Sequence, residues 1–335
     1  MEEMEKRIIP AWLWPVVTVF VVAPVLALAV PQRRADAGPS TEYDVSSYVQ
    51  VNPKDVIFKE GPSVSLKIGN PSGLAIGPAG QIYAAGENAV LALDSEGKET
   101  ARYPVKGRPN CLAASPDGEI LLGMSNHIEV FDSRGSTKAV WKDLNDRACL
   151  TSITADDESV FAADAGNRVV LHFDRDGNLQ GRIGERDKAR QIPGLIVPSP
   201  YLDVALDAQG SLWVVNPGKH GIENYRPNGD LVSSWYQPGM DLKGFCGCCN
   251  PIHIAFRSDG SVATAEKGLN RVKLYGPDMK LLGVVAGPDA IQSPDKAAFS
   301  CDVEPPIRDL AVDSRGRILV LDGLKMAIRV FEPKE

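Results

Sequence analysis

The sequence predicts an all-β chain, a six-bladed β-propeller of four-stranded antiparallel blades behind an N-terminal transmembrane helix or signal segment. Three observations carry this. A strand–turn–strand unit recurs six times, a third and a fourth strand come after it at a fixed offset, and an uncharged apolar run opens the chain. The 335 residues are 44% hydrophobic and 24% charged, enough apolar material for a full core. The formal net charge is −7 and no Lys/Arg block offsets it, which excludes the basic face that nucleic-acid phosphates require.

Taken in chain order, the first element is "IIPAWLWPVVTVFVVAPVLALAV", residues 8–30, with no charged side chain. At about 1.5 Å rise per residue this run is long enough to cross a hydrocarbon core of about 30 Å. Trp12 and Trp14 stand near one end, where interface-seeking rings sit. Ala27-Leu28-Ala29 also fits a small-x-small cleavage pattern, so the run reads as an anchor or as a signal peptide. Lys6 and Arg7 precede the run, and Arg33 and Arg34 lie beyond it. Either reading exports the rest of the chain, so the body is expected on the extracytoplasmic (periplasmic) side of a membrane. Residues 1–40 are read as anchor and linker, and 41–335 as the propeller.

The repeat comes next. "GLAIGPAGQIYAA", "CLAASPDGEILLG", "SITADDESVFAAD", "DVALDAQGSLWVV", "HIAFRSDGSVATA" and "DLAVDSRGRILVL" each alternate apolar residues around a tight polar turn, the mark of a β-hairpin. Their anchors, Gly80, Gly118, Glu158, Gly210, Gly260 and Gly316, are 38, 40, 52, 50 and 56 residues apart. The third strands are "AVLALD", "HIEVFD", "RVVLHFD", "GIENYRP", "RVKLYGP" and "AIRVFEP". Further turns such as "DSEG" and "RPNGD" lead into a fourth strand such as "LVSSWYQ". Four antiparallel strands repeated six times describe a propeller. The last copy ends after its third strand, so its missing strand is expected from "DVIFKE" or "VSLKIG" upstream, closing the ring and covering the sheet edges.

The units "PPIRDLAVDSRGRILVLDGLKMAIRVFE" and "SITADDESVFAADAGNRVVLHFDRDGNL" resemble NHL repeats, and the resemblance extends over about residues 70–335. It implies a six-bladed propeller used as a binding or sensor module. One branch of such proteins, the peptidyl-hydroxyglycine amidating lyases, is enzymatic and holds zinc through several channel histidines; this chain has one histidine in the corresponding column.

Propeller sites gather where the innermost strands begin. Seven residues before the anchors stand Gly73, Cys111, Thr151, Asp203, His253 and Asp309, a small or polar column expected at the channel mouth. The next positions, Leu74, Leu112, Ser152, Val204, Ile254 and Leu310, are mostly apolar and are expected between blades. "GFCGCCNPIHIA" places Cys246, Cys248 and Cys249 in the loop before the fifth inner strand, and Cys301 precedes the sixth. Cys149 precedes the third, so no cysteine falls on an outer strand.

Three chemistries fit the thiols. An even count in an oxidising compartment fits disulfides, including one between Cys111 and Cys149. Four sulfurs, from Cys246, Cys248, Cys249 and Cys301, with Cys111 and His253 nearby, fit a thiolate site for zinc, copper or an iron–sulfur cluster. Adjacent Cys248 and Cys249 also fit a redox-active pair.

The sequence expectation is thus a membrane-tethered binding or scaffold module, its mouth taking a protein or small-molecule ligand and carrying a thiolate metal site. The alternatives are a metal-dependent lyase or hydrolase using His253, Asp203 and Asp309, or a metal-handling or electron-transfer subunit. No recognisable catalytic set is present: there is no G-x-S-x-G elbow, phosphate loop, dinucleotide fingerprint or haem motif. "DRDGNLQGRIGE", residues 174–185, imitates a calcium loop but has Leu179 where the turn needs glycine.

Overall fold

The structure is a computed structural model describing residues 46–291 and 304–334. The apolar run 8–30 and Cys301 lie outside the described residues. Among the described residues no helix is long and apolar enough to cross a membrane.

Six antiparallel sheets form the six expected blades. Their inner strands are Gly69–Ile76, Cys111–Ala114, Leu150–Ala155, Val204–Leu206, His253–Phe256 and Ile307–Val312. Each touches the next and the sixth touches the first, which closes the ring. Closure is made at the chain ends. The strand Phe58–Glu60 pairs antiparallel with Ala327–Pro333 as the outer strand of blade six, with Phe58 opposite Pro333. Val64–Ser65 joins the same strand. Of the two expected closing segments, both therefore contribute.

The hairpin turns explain the recurring glycine. In five blades the turn closes with an N–H to C=O bond spanning four residues, as from Gly77 to Gln81 and Asp313 to Arg317. Its fourth residue, Gly80, Gly118, Gly210, Gly260 or Gly316, takes a positive φ that a Cβ disfavours. Blade three has Glu158 there and uses a shorter turn, from Asp156 to Ser159, that asks for no positive φ.

Alternation along each strand sends successive residues into opposite seams, and one apolar cluster fills each of the six seams. Ile82 and Ala84 of blade one pack with Leu319 and Leu321 of blade six. Tyr83 and Ala85, one position on, pack with Ile120 and Leu122 of blade two. At about 25 cal/mol per Å2 of apolar surface buried, this doubled packing is what holds a ring with no central core.

Blades four, five and six break the apolar rule at one equivalent position of their third strands: Glu223, Lys273 and Arg329, each at most 1% exposed. Burial on this scale requires partners. Glu223 accepts from Asn216 Nδ2 (2.9 Å), Tyr225 (2.6 Å) and Tyr236. Arg329 forms a two-toothed bond to Glu60 (2.7 and 2.6 Å), pinning the closing strand. Lys273 and Arg271 share Glu266 and donate to the carbonyls of residues 241–244, which fixes the loop leading to the cysteines.

Candidate functional site at the channel mouth

Inner strands are sheet edges, so every second N–H on them lacks a ladder partner and needs another acceptor. The polar column supplies it. Asp203 Oδ2 accepts from Ile254 N, one blade on, at 2.7 Å. Asp309 Oδ2 accepts from Leu74 N at 2.7 Å, joining blade six to blade one, while its Oδ1 accepts from Leu310 N at 2.8 Å. Thr151 donates to Leu202 O at 2.6 Å. At Gly73 a Cβ would stand 2.8 Å from Leu112 N, so that blade leaves no room for a side chain. The column therefore does not simply project into the lumen, as its sequence position suggested. Three of its side chains, Thr151, Asp203 and Asp309, reach sideways and clip blade three to four, four to five and six to one, while Leu74, Leu112, Val204, Ile254 and Leu310 fill the seams as expected.

His253 departs from this pattern. The N–H it could have clipped, Leu310 N, is already taken by Asp309. The imidazole is left between two carboxyls, with Nδ1 3.8 Å from Asp309 Oδ1 and 4.0 Å from Asp203 Oδ2. These distances are too long for direct hydrogen bonds. Nδ1 is buried and has no partner. Cys111, Thr151, Asp203 and Asp309 line the adjoining channel cavity of about 270 Å3, whose walls further along are Ile76, Leu206, Phe256 and Val312.

Burial sets the protonation states. Desolvation, reinforced by the neighbouring Arg308 guanidinium, lowers the His253 pKa to about 4, so the ring is neutral at pH 7. Desolvation raises Asp203 to about 7 against the hydrogen bonds it accepts. It also drives Asp309 well above the carboxylate range, with the Asp203 charge adding to the effect. The Cys111 thiol is pushed well up by desolvation and then by Asp309 and Asp203, which keeps it protonated.

The cysteine loop borders the same mouth. Cys248 is disulfide-bonded, whereas Cys111, Cys149, Cys246 and Cys249 are free thiols. A disulfide sulfur offers no thiolate to a metal, and among the described residues no group of three or more His, Cys, Asp or Glu side chains is arranged to hold a metal ion. The multi-histidine zinc site implied by the repeat resemblance does not fit here. His253 is the one imidazole in the column, and the carboxylate oxygens facing it already accept N–H bonds.

Several neighbours of the mouth were not singled out from sequence: Ser199, Tyr201, Lys267 and Arg308. Lys267 Nζ lies 4.5 Å above the Tyr201 ring and 3.3 Å from Ser199 Oγ. Charged residues recurring at one offset of otherwise apolar third strands were a legible signal for Glu223, Lys273 and Arg329. For Ser199 and Tyr201, in an irregular segment, no periodicity existed to read. His172 bonds Ser159 and stacks on Phe161 at 4.8 Å, a structural role. The calcium-like loop is a turn in which Asp174 Oδ1 accepts the N–H groups of Asp176 and Asn178.

No family model matches the chain, and no curated protein matches its sequence. Solved structures of similar fold do exist. Virginiamycin B lyase from Staphylococcus aureus superposes with a TM-score of 0.57 at 14% identity, covering 83% of this chain and 100% of that one. A streptogramin B lyase gives 0.57 at 14% identity, covering 83% and 98%. A protein of unknown function from Bacteroides thetaiotaomicron gives 0.59 at 13% identity, covering 84% and 74%. At these identities the likeness is one of fold.

Proposed function

We propose that the chain is an exported, membrane-tethered propeller whose channel mouth binds a small polar molecule and exchanges a proton with it, as a lyase or hydrolase does. The observation that carries this reading is His253 Nδ1, buried without a partner between two carboxyls. A neutral imidazole is a base with a free lone pair, and a carboxyl that keeps its proton near pH 7 is an acid. Environments that push two neighbouring pKa values apart in this way are how acid and base roles are assigned. A hydroxyl, amine or activated C–H of a ligand placed between His253 and Asp309 meets both. Arg308, close enough to lower the His253 pKa, supplies a positive rim for an anionic group on the same ligand. The fold shared with virginiamycin B lyase shows that a propeller of this shape can carry lyase chemistry.

Export and tethering rest on the apolar run 8–30, and the disulfide at Cys248 supports an oxidising compartment. The likeness of the repeat units to NHL repeats supports a ligand at the mouth. The test is a thermal-shift screen of small polar acids, amines and hydroxy acids against the wild type and His253→Asn. A compound that raises the wild-type Tm and leaves the variant unmoved supports the site; hits that stabilise both proteins equally refute it. Turnover of such a hit should rise with pH through about 4 as His253 loses its proton, and fall again in the range, well above that of an ordinary carboxyl, where Asp309 loses its own.

A further inference from the structure

At the head of blade six the inner strand carries one residue more than its ladder uses. Ile307 pairs with Asp322 and Asp309 with Leu321, so Arg308 is left over in a β-bulge. A bulge re-aims the side chain it frees, and bulges recur beside active sites for that reason. The Arg308 side chain lies over Gly323, where a Cβ would stand 2.3 Å from its Nε, so its path is open because residue 323 has no side chain. After burial, the Arg308 charge is the second cause of the low His253 pKa, which places the guanidinium beside that imidazole.

A second guanidinium comes from the other side of blade one. Arg108 stands in the loop entering blade two, which is pinned by Ser72 Oγ donating to Pro109 O (2.5 Å) and by Asn110 N donating to Gly123 O (2.7 Å). Arg108 Nη2 and Arg308 Nη1 meet the same atom, Glu304 Oε1, the first at 3.9 Å. Burial and then the Arg108 charge lower the Arg308 pKa, as like charges brought together require. Two guanidinium groups on one carboxylate oxygen make a carboxylate-binding pair, with two positive charges against one negative. Glu304 is a weakly held occupant. Its side chain is 59% exposed and that of Arg108 46%, and ion pairs so open to water add little stability.

We propose that Arg108 and Arg308 are the carboxylate clamp of the channel mouth, that its ligand is a small organic acid, and that Glu304 is a built-in competitor which such an acid displaces. The clamp's use rests on the proton exchange proposed for His253 and Asp309. With its carboxylate on Arg308, the ligand brings a hydroxyl, amine or C–H to the next residue of the same strand, Asp309, and to the imidazole beside it. An uncharged analogue forfeits the clamp. An acid gains it by displacing a carboxylate tethered four residues from Arg308, whose effective concentration is about millimolar.

The test is a thermal-shift titration of the full chain, at pH 7 and constant ionic strength, with acetate, glycolate, lactate and succinate, each beside its amide. Apparent Kd values follow from the dose dependence of Tm. At least one acid should bind the wild type about tenfold or more tightly than its amide, the worth of one charge-assisted hydrogen bond. Arg308→Gln and Arg108→Gln should each abolish that preference. Glu304→Gln should tighten the acid by about threefold and leave the amide unchanged. The clamp is overturned by acids and amides that bind the wild type alike, by a preference that survives either arginine variant, or by a series in which no acid binds Glu304→Gln more tightly than wild type. His253→Asn separates the clamp from the proton exchange. Acids that keep their preference and bind this variant as well as wild type leave the clamp standing without the exchange. Acids and amides that bind wild type alike, and both lose affinity for this variant, leave the exchange standing without the clamp.

Discussion

Replacing Glu266 by Gln tests the buried charge cluster that shapes the cysteine loop. In the wild type, Arg271 meets the carboxylate through two bonds of 3.0 and 2.8 Å, and Lys273 meets it at 2.9 Å. All three side chains are at most 1% exposed, so no water replaces a lost partner. Gln, with its oxygen at the Oε1 position, can still accept from Arg271 Nε and Lys273 Nζ, but it turns an N–H2 group toward Arg271 Nη2 and removes the negative charge. One charge-assisted bond is lost outright, at about 1.5–3 kcal/mol, and the two that remain lose the carboxylate charge. With two buried cations left without their counter-charge, the expected cost is the roughly 3–5 kcal/mol of removing one partner from a buried ion pair. Denaturant unfolding at pH 7 should show a loss of about 4 kcal/mol with an unchanged m-value. Desolvation pushes the Glu266 carboxyl up, but Lys273 and Arg271 outweigh it and hold its pKa below 4.5. Its stabilisation is thus present above the unfolded value and lost as pH falls through the folded one, so the two proteins should converge in acid. A loss under about 1 kcal/mol at pH 7 would falsify the claim that this cluster holds the loop by charge.

Packing and ionisation lead to three more expectations. Asp203, raised to about 7 from 3.8, costs the fold stability as pH rises through that window, so Asp203→Asn should gain relative to wild type. The gain between pH 4 and pH 8 is about 4 kcal/mol, from roughly three pH units at 1.36 kcal/mol each, and a pH-independent difference between the two proteins rules out the shift. Gly166→Ala places a Cβ 1.7 Å from Arg147 O and should cost about 2–3 kcal/mol in chemical denaturation; Gly181→Ala, with open space around it, should stay within about 0.5 kcal/mol. Glu60→Ala removes the two-toothed partner of Arg329 and should cost about 2 kcal/mol and speed hydrogen exchange along Ala327–Pro333. Unchanged exchange there means the closing strand is held by something else.

Much of the architecture was legible because its causes are local. A hairpin needs alternating residues and a turn residue tolerant of positive φ, and both stand within a dozen positions of one another. The closing strand was foreseeable because the last unit is one strand short. The polar column was legible by offset, yet its use was not. That Asp203 and Asp309 reach sideways to N–H groups 51 and 235 residues away depends on how neighbouring inner strands stagger. The thiols show the same divide. Their concentration near the mouth could be read from position, but whether a sulfur is bonded depends on distances that spacing along a chain does not carry.

The sequence by itself determined the six blades, their strand order and the face on which polar side chains collect, because each arises from short-range periodicity. Only the tertiary structure decided which of those polar groups were consumed in clipping blades together and which was left over. His253 remained unpartnered because Asp309 had claimed the N–H beside it, and the perturbed pKa values there arise from burial. Burial comes into being when the ring closes, so no stretch of sequence read alone contains it.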